Sequence, residues 1–487
     1  MRFTTLTFLL FFVIVYLTYW SMRGRSRLWL LGGASIVFYG AWSPGFLIHF
    51  VAIVLLNFTF TRLIRHATER KKLYLALALV LNFSNLFLLK YFYFFLQILF
   101  DTTGLPVFQE THFNRELYDW VGETSIVLPL AISFYTFQIS AYLIDEYRGQ
   151  IPAEHGFIEF FVFILFFPQL VAGPIMRHGD FFPQLDRDQM KPAFLVRGMA
   201  LIQIGLIKKV AMADNIAAVV RPVFANPEAY DGWTNFLATM GFAVQVYCDF
   251  SGYTDLARGF GYMFGLKLPE NFFGPYLAPT VRELWQRWHA TLSTWMRDYL
   301  YIPLGGSRTS RARADFNLVL TFTLSGLWHG ANYTYILWGF MHGVALILER
   351  YLTPAGRWVR KHFADAQDQV PAYYRYGTVT LKTSFVFFLF LMGIVFFNAP
   401  DIQRSWQMFV QIFTLAADGK GINTEMILGL LVVTMGLNWY QFKPGRLKWL
   451  EQREYLCYGL LLITGILVIW VLGLYAPGSG DFIYFQF

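Results

Sequence analysis

Charge is scarce in this chain. Asp, Glu, Lys and Arg make up 14% of its 487 residues, against about 25% in a soluble domain, which excludes a water-soluble globular fold. Cysteine is nearly absent. Cys248 and Cys457 stand far apart, so there is no CxxC, no thiol metal spacing and no disulfide framework, and both read as packing residues. No repeat, low-complexity tract or soluble linker interrupts the chain. The net charge of +8 invites a nucleic-acid partner. The basic residues, however, cluster in short loops between apolar runs, which reports membrane orientation and removes that class of partner.

What the chain has is apolar and aromatic: 56% hydrophobic residues, 52 Phe and 15 Trp, suited to lipid-facing and interfacial positions. The expected fold is an all-α polytopic membrane protein. Phe3 to Trp20 reads as a retained first span, since no small-residue cleavage site follows it. Segments near 29–42 and 47–61 form a hairpin over Trp42 to Gly45, and 73–98 follows. Further segments lie near 125–144, 157–175, 195–222, 233–249 and 255–267, then 316–328, 333–350, 377–398, 424–440 and 455–475. At ~20 residues per span this amounts to ~11–13 membrane segments, some short enough to be re-entrant. Arg23, Arg25 and Arg27, the cluster Arg62 to Lys72, and Lys443 to Arg453 read as cytoplasmic. The acid-rich loop 100–124 reads as external. Both termini are then external, in a bacterial inner membrane. Residues 1–475 form one membrane domain with a polar cytoplasmic insert at 269–315, and 476–487 form an external aromatic tail.

One histidine stands out. His329, in Ser325-Gly-Leu-Trp-His-Gly-Ala-Asn332, interrupts the apolar stretch 316–348. The preceding arm, Phe316 to Trp328, would span ~20 Å as a helix, short of the ~30 Å hydrocarbon core. His329 should therefore sit within the membrane, where the chain turns at Gly330 and Asn332. An ionisable side chain at that depth marks a functional site by default, although a packed hairpin with a structural histidine gives the same pattern. In the insert, apolar residues at 281, 284, 285, 288, 292, 295, 296 and 299 predict one amphipathic helix over 280–300. It opens with a Thr280/Glu283 capping box and carries His289. Arg282, Arg287 and Arg297 lie along it, with Arg308, Arg311 and Arg313 beyond. Such a helix either rests on anionic lipid or lines a vestibule for a phosphate-bearing donor such as coenzyme A or a phosphopantetheine carrier.

Arg287-Trp288-His289-Ala-Thr-Leu-Ser-Thr-Trp295-Met-Arg297-Asp-Tyr299, followed by Ser325 to Gly330, resembles the membrane-bound O-acyltransferase family. The likeness is to its bacterial branch of alginate O-acetylation and teichoic acid D-alanylation. Leu128 to Gln138, Phe167 to Ile175, Gly205 to Lys209 and Asp249 to Asp255 agree in the same order. The resemblance implies two funnels, one cytoplasmic and one external, with His329 and His289 at the family's two histidine positions. It implies an acyl thioester donor, acetyl-CoA or an acyl carrier protein, with no tightly bound cofactor and no metal. Donor contacts fall to Arg282, Arg287, Arg297 and Trp288.

The tail Asp481-Phe482-Ile483-Tyr484-Phe485-Gln486-Phe487 is aromatic yet external. An apolar tail in water should dock, although an interfacial aromatic belt has the same composition. It resembles the terminal motif of the partner peptide of teichoic acid D-alanylation, whose tyrosine is thought to carry the acyl group. That likeness makes Tyr484 a candidate acyl carrier, with Phe482, Phe485, Phe487, Trp328 and Asn332 as tail- or acceptor-docking residues. The expected function is transfer of a short acyl group, acetyl first, from a cytoplasmic thioester to an exported or cell-surface polysaccharide, through an SGNH-like acyltransferase outside. D-alanyl transfer to teichoic acid is the alternative enzyme. A transporter is the alternative non-enzyme, and it would need intramembrane carboxylates, for which Asp214, Asp249 and Asp255, near span ends, are the few candidates.

Overall fold

A computed structural model describes residues 3–109, 129–171, 173–185, 191–362, 372–415 and 418–442, with a few positions between 459 and 467. The tail with Phe482, Tyr484, Phe485 and Phe487, the basic segment from Lys443 to Arg453, Cys457 and most of the last expected span lie outside the described residues. Among the described residues every extended element is a helix, and the chain is an all-α polytopic membrane protein. Pro44–His66, Lys71–Thr103 and Gly377–Asn398 are long and apolar enough to cross a bilayer. The helices group into two compact units, Met1–Lys191 with Phe260–Leu268, and Pro192–Gly259 with Pro269–Phe487.

In the first unit the hairpin expected at Trp42 to Gly45 forms between helices Ser26–Gly40 and Pro44–His66. The Ser43 hydroxyl accepts the Phe46 N–H, and Pro44 occupies the first turn, where its missing N–H costs nothing. Pro44–His66 and Lys71–Leu86 are joined by a reciprocal amide pair. Asn57 Nδ2 donates to Asn82 Oδ1 at 3.0 Å, and Asn82 Nδ2 donates back at 2.7 Å. Two of the motifs meet here as well: Gln169 Nε2 donates to Gln138 Oε1 and to the Pro174 carbonyl. The segment expected at 157–175 is not one helix. It breaks at Phe166, before Pro168, into Phe157–Leu165 and Phe167–Leu170, because Pro168 has no N–H for the Ile164 carbonyl and is accommodated only in the first turn of a new helix.

The second unit departs from expectation in four places. The segments 233–249 and 255–267 are one helix, Gly232–Met263, because the acids between them are neutralised by lysines from elsewhere. The segment 195–222 runs through Pro192–Leu206 and Asp214–Ala225, with a wide π-helical turn, Ile207–Ala213, in the middle. The amphipathic helix of the insert is broken into Val281–Arg287 and Ala290–Met296. An amphipathic helix that no periodicity singled out, Ile402–Thr414, follows Gly377–Asn398.

The hairpin around His329 forms, with longer arms than its apolar run indicates: Arg311–His329 and Tyr333–His362. The arms touch backbone to backbone. A Cβ at Gly326 would collide with the Tyr335 carbonyl, one at Gly339 with the Phe322 carbonyl, and one at Gly343 would lie 2.9 Å from Val319 Cα. Small residues allow this approach, and in lipid close packing is what holds helices together. Gly339→Ala should therefore destabilise the detergent-solubilised protein by about 1–3 kcal/mol, read as a lower melting temperature. An unchanged melting temperature would contradict the packing described.

Candidate active site

The insert breaks because a distant carboxamide breaks it. The Thr280 hydroxyl accepts the Glu283 N–H at 3.1 Å and starts the first short helix. Glu283 turns its own carboxylate to Arg287, so only half of the expected capping box forms. Glu349, from the second hairpin arm, accepts the Val281 and Arg282 N–H groups instead, placing a negative charge on the helix N-terminus. Trp288 is then extended, and His289 takes the left-handed conformation, φ 44° and ψ 51°. That conformation is costly for a residue with a Cβ, about 1–3 kcal/mol.

Asn271 holds it there. Its Oδ1 accepts three hydrogen bonds, from His289 Nδ1 at 3.1 Å, Thr291 N at 3.1 Å and Thr291 Oγ1 at 2.9 Å. Its backbone carbonyl takes the Ala290 N–H, and the Phe273 N–H donates to the Arg287 carbonyl. Because Oδ1 can only accept, the His289 proton sits on Nδ1 and Nε2 is the basic nitrogen. Burial holds the His289 pKa down to about 3, so the ring is neutral throughout the physiological range.

His329 ends its helix and is 4% exposed. Its ring packs edge-on against Trp328 at 4.9 Å, Trp338 at 5.1 Å and Phe397 at 5.2 Å. Trp328 also packs against His289 at 6.0 Å, so one indole touches both imidazoles. Both histidines line a cavity of about 390 Å³, together with Arg282, Arg297, Trp285 and Trp288. The expected donor set divides here. Arg282, Arg297 and Trp288 reach this cavity. Arg287 does not: it is bonded to Glu283 and the Leu277 carbonyl and lies over the Phe442 ring. Arg308, Arg311 and Arg313 are also off its walls. Arg350, which sequence reasoning missed, does line it, braced by an ion pair to Asp315. A basic residue on the second hairpin arm was the only signal.

A second cavity, of about 550 Å³, begins at the next residue. Gly330, Ala331 and Asn332 line it with Tyr335 and Phe397, and its polar wall carries Arg221, Gln245 and Asn398. Asn332 also fixes the turn: Nδ2 donates to the Pro400 carbonyl at 2.9 Å and Oδ1 accepts the Thr334 N–H at 3.1 Å. Trp328 lines neither cavity. It stands between the histidines. One side of the turn thus presents an imidazole to a basic cavity, and the other opens on a separate polar one.

The intramembrane carboxylates are accounted for. Lys208 Nζ lies 2.6 Å from Asp255 Oδ2, and Lys209 is bonded to Asp249 and, at 2.8 Å, to Asp214. All five side chains are nearly inaccessible. Acids already matched to cations make poor carriers of transported charge, which counts against a transporter. Lys209→Met would leave two buried carboxylates without their cation, a loss of about 3–5 kcal/mol. The expected result is protein that inserts but fails to survive detergent extraction as a monodisperse species. Wild-type melting behaviour in that variant would contradict the pairing.

The sequence pattern of the membrane-bound O-acyltransferase family matches residues 70–391. The chain is 37% identical over 447 residues to the probable alginate O-acetylase AlgI of Pseudomonas aeruginosa, covering 90% of this chain and 80% of that protein. It is 36% identical over 361 residues to the peptidoglycan O-acetyltransferase of Helicobacter pylori, covering 68% and 66%. With the teichoic acid D-alanyltransferase of Bacillus subtilis it shares 29% over 246 residues, 48% of this chain and 61% of the other. The chain belongs to the membrane-bound O-acyltransferase family and is an O-acyltransferase.

Proposed function

We propose that this enzyme moves an acetyl group from a cytoplasmic thioester through the bacterial inner membrane, for O-acetylation of an exported or cell-surface polysaccharide. The observation that carries this reading is the turn at His329, whose imidazole lines the basic cavity while Gly330 to Asn332 line the second. Relatives named for acetylation of alginate and of peptidoglycan support the acetyl group and the polymer acceptor. With the N-terminus outside, the insert faces the cytoplasm, where acetyl-CoA and acyl carrier proteins reside.

In this reading the thioester enters the first cavity, its phosphates meeting Arg282, Arg297 and Arg350. His329 takes the proton from an incoming hydroxyl as general base, for which imidazole suits neutral pH. The hydroxyl oxygen forms the new ester bond to the carbonyl carbon, the C–S bond breaks, and the thiolate leaves with the proton from His329. His289, neutral and fixed, shapes the wall beside it. The acceptor hydroxyl is that of Tyr484. A phenol, with pKa ~10, is easier to deprotonate than a sugar hydroxyl, and its aryl ester has the better leaving group, so the acetyl group stays activated for a second transfer. An SGNH-like acyltransferase outside then moves it to the polymer.

Tyr484→Phe keeps the ring and removes the hydroxyl. Cells carrying it should make normally inserted protein and polysaccharide without O-acetyl ester. Ester content at the wild-type level would eliminate the tyrosine carrier. Among the arginines, Arg282→Ala should raise the KM for acetyl-CoA by about ten- to a hundredfold, the scale of one charge-assisted phosphate contact of about 1.5–3 kcal/mol. Arg287→Ala, which removes a guanidinium off the cavity wall, should leave KM near the wild-type value. The reverse order would refute the assignment of the donor side.

A further inference from the structure

Two residues hold His289 in its strained conformation, and each is the chain neighbour of a member of a buried ion-pair cluster. Phe250 packs edge-on against the His289 ring at 4.7 Å and follows Asp249, which is bonded to Lys209. Asn271, whose Oδ1 takes the His289 Nδ1 proton, follows Glu270, which Arg258 binds at 2.8 Å. Arg258 also lies 3.8 Å from Asp255, and Asp255 is bonded to Lys208. Glu270, Arg258, Asp255 and Lys208 form one continuous half, and Lys209 with Asp249 and Asp214 forms a separate second half. Both halves spring from the π-helical turn Ile207–Ala213, which carries the two lysines side by side.

We propose that these ion pairs are positioning machinery for His289: Lys209–Asp249 sets the height of Phe250, and Arg258–Glu270 sets the register of Asn271. The inference rests on His289 serving the acyl-transfer site. The geometry makes the arrangement specific. Pairing at Glu270 fixes the start of the segment 270–273. That segment then meets the broken insert through the Asn271 side chain, the Asn271 carbonyl and the Phe273 N–H. A strand-like splice of this kind transmits a shift at its first residue directly to the imidazole. Plain stabilisation of the bundle would need the buried Lys208 and Lys209 pairs. It would not need Arg258 to reach out to Glu270, whose side chain is 33% exposed.

Glu270 is the place to test this, since its exposure makes a change there compatible with folding. Glu270→Gln keeps the size and removes the charge, and Glu270→Asp restores the charge. In purified protein mixed with acetyl-CoA, Glu270→Gln should lower kcat, read as the saturating single-turnover rate constant of acetyl transfer to the tail, by about tenfold, as a misplacement of a reacting-site group does. KM should stay within about a factor of two, the signature of an effect on the chemical step and not on binding. Glu270→Asp should recover most of the loss. In histidine-15N-labelled protein, the single Nδ1-protonated His289 signal should become a tautomer mixture in Glu270→Gln and return in Glu270→Asp. An unchanged His289 signal overturns the proposal, whatever the kinetics do, and so does unchanged kcat in folded Glu270→Gln. If the wild type consumes no thioester at all, the functional reading fails, and the tautomer readout still decides the positioning role.

Discussion

The site depends on two helix backbones being in contact. Gly326, Gly339 and Gly343 let Arg311–His329 and Tyr333–His362 approach until a single added methyl group would strike a carbonyl or Cα of the other arm. That contact fixes the turn between the arms, and the turn fixes His329 at the seam of two cavities. In lipid there is no hydrophobic force to press helices together, so position comes from packing and from buried polar pairs. The glycine seam supplies the first at His329. The carboxamide of Asn271 and the ion pairs behind it supply the second at His289. Trp328, wedged between the imidazoles, makes the two positions depend on one another.

Much of this was legible in the sequence because bilayers impose simple rules. The all-helical membrane fold and the hairpin over Trp42 to Gly45 follow from composition and local chemistry, and so does the break at His329, since a histidine followed by Gly330 and Asn332 cannot continue an apolar run. The rest was hidden because it is made by residues far apart in the chain. Nothing in 280–300 marks the break at Trp288–His289: the apolar spacing stays in phase across it, and only Asn271, eighteen residues upstream of His289, distorts it. Asp249 and Asp255 read as the polar boundary of two spans until Lys208 and Lys209 are seen to neutralise them. Arg287 looked like a donor ligand beside Arg282, yet its partner Glu283 lies one turn before it on the same helix and turns it away.

The division of labour proposed for the two cavities rests on their linings. The first has three guanidinium groups and two imidazoles on its walls, suited to a phosphate-bearing thioester delivered to a general base. The second has amides, one arginine and an aromatic wall of Tyr335 and Phe397, suited to an aromatic hydroxyl acceptor. Phe397 touches His329 and lines the second cavity at once.

The central claim is that His329 activates the attack on a thioester carbonyl. The most direct measurement is thiol release from acetyl-CoA by the purified protein, with intact mass of the chain read in the same samples, for the wild type and His329→Gln, whose melting temperatures are first shown to match. The account predicts that the wild type releases thiol and gains one acetyl mass on the tail peptide, and that His329→Gln does neither. Thiol release at the wild-type rate by His329→Gln would contradict it.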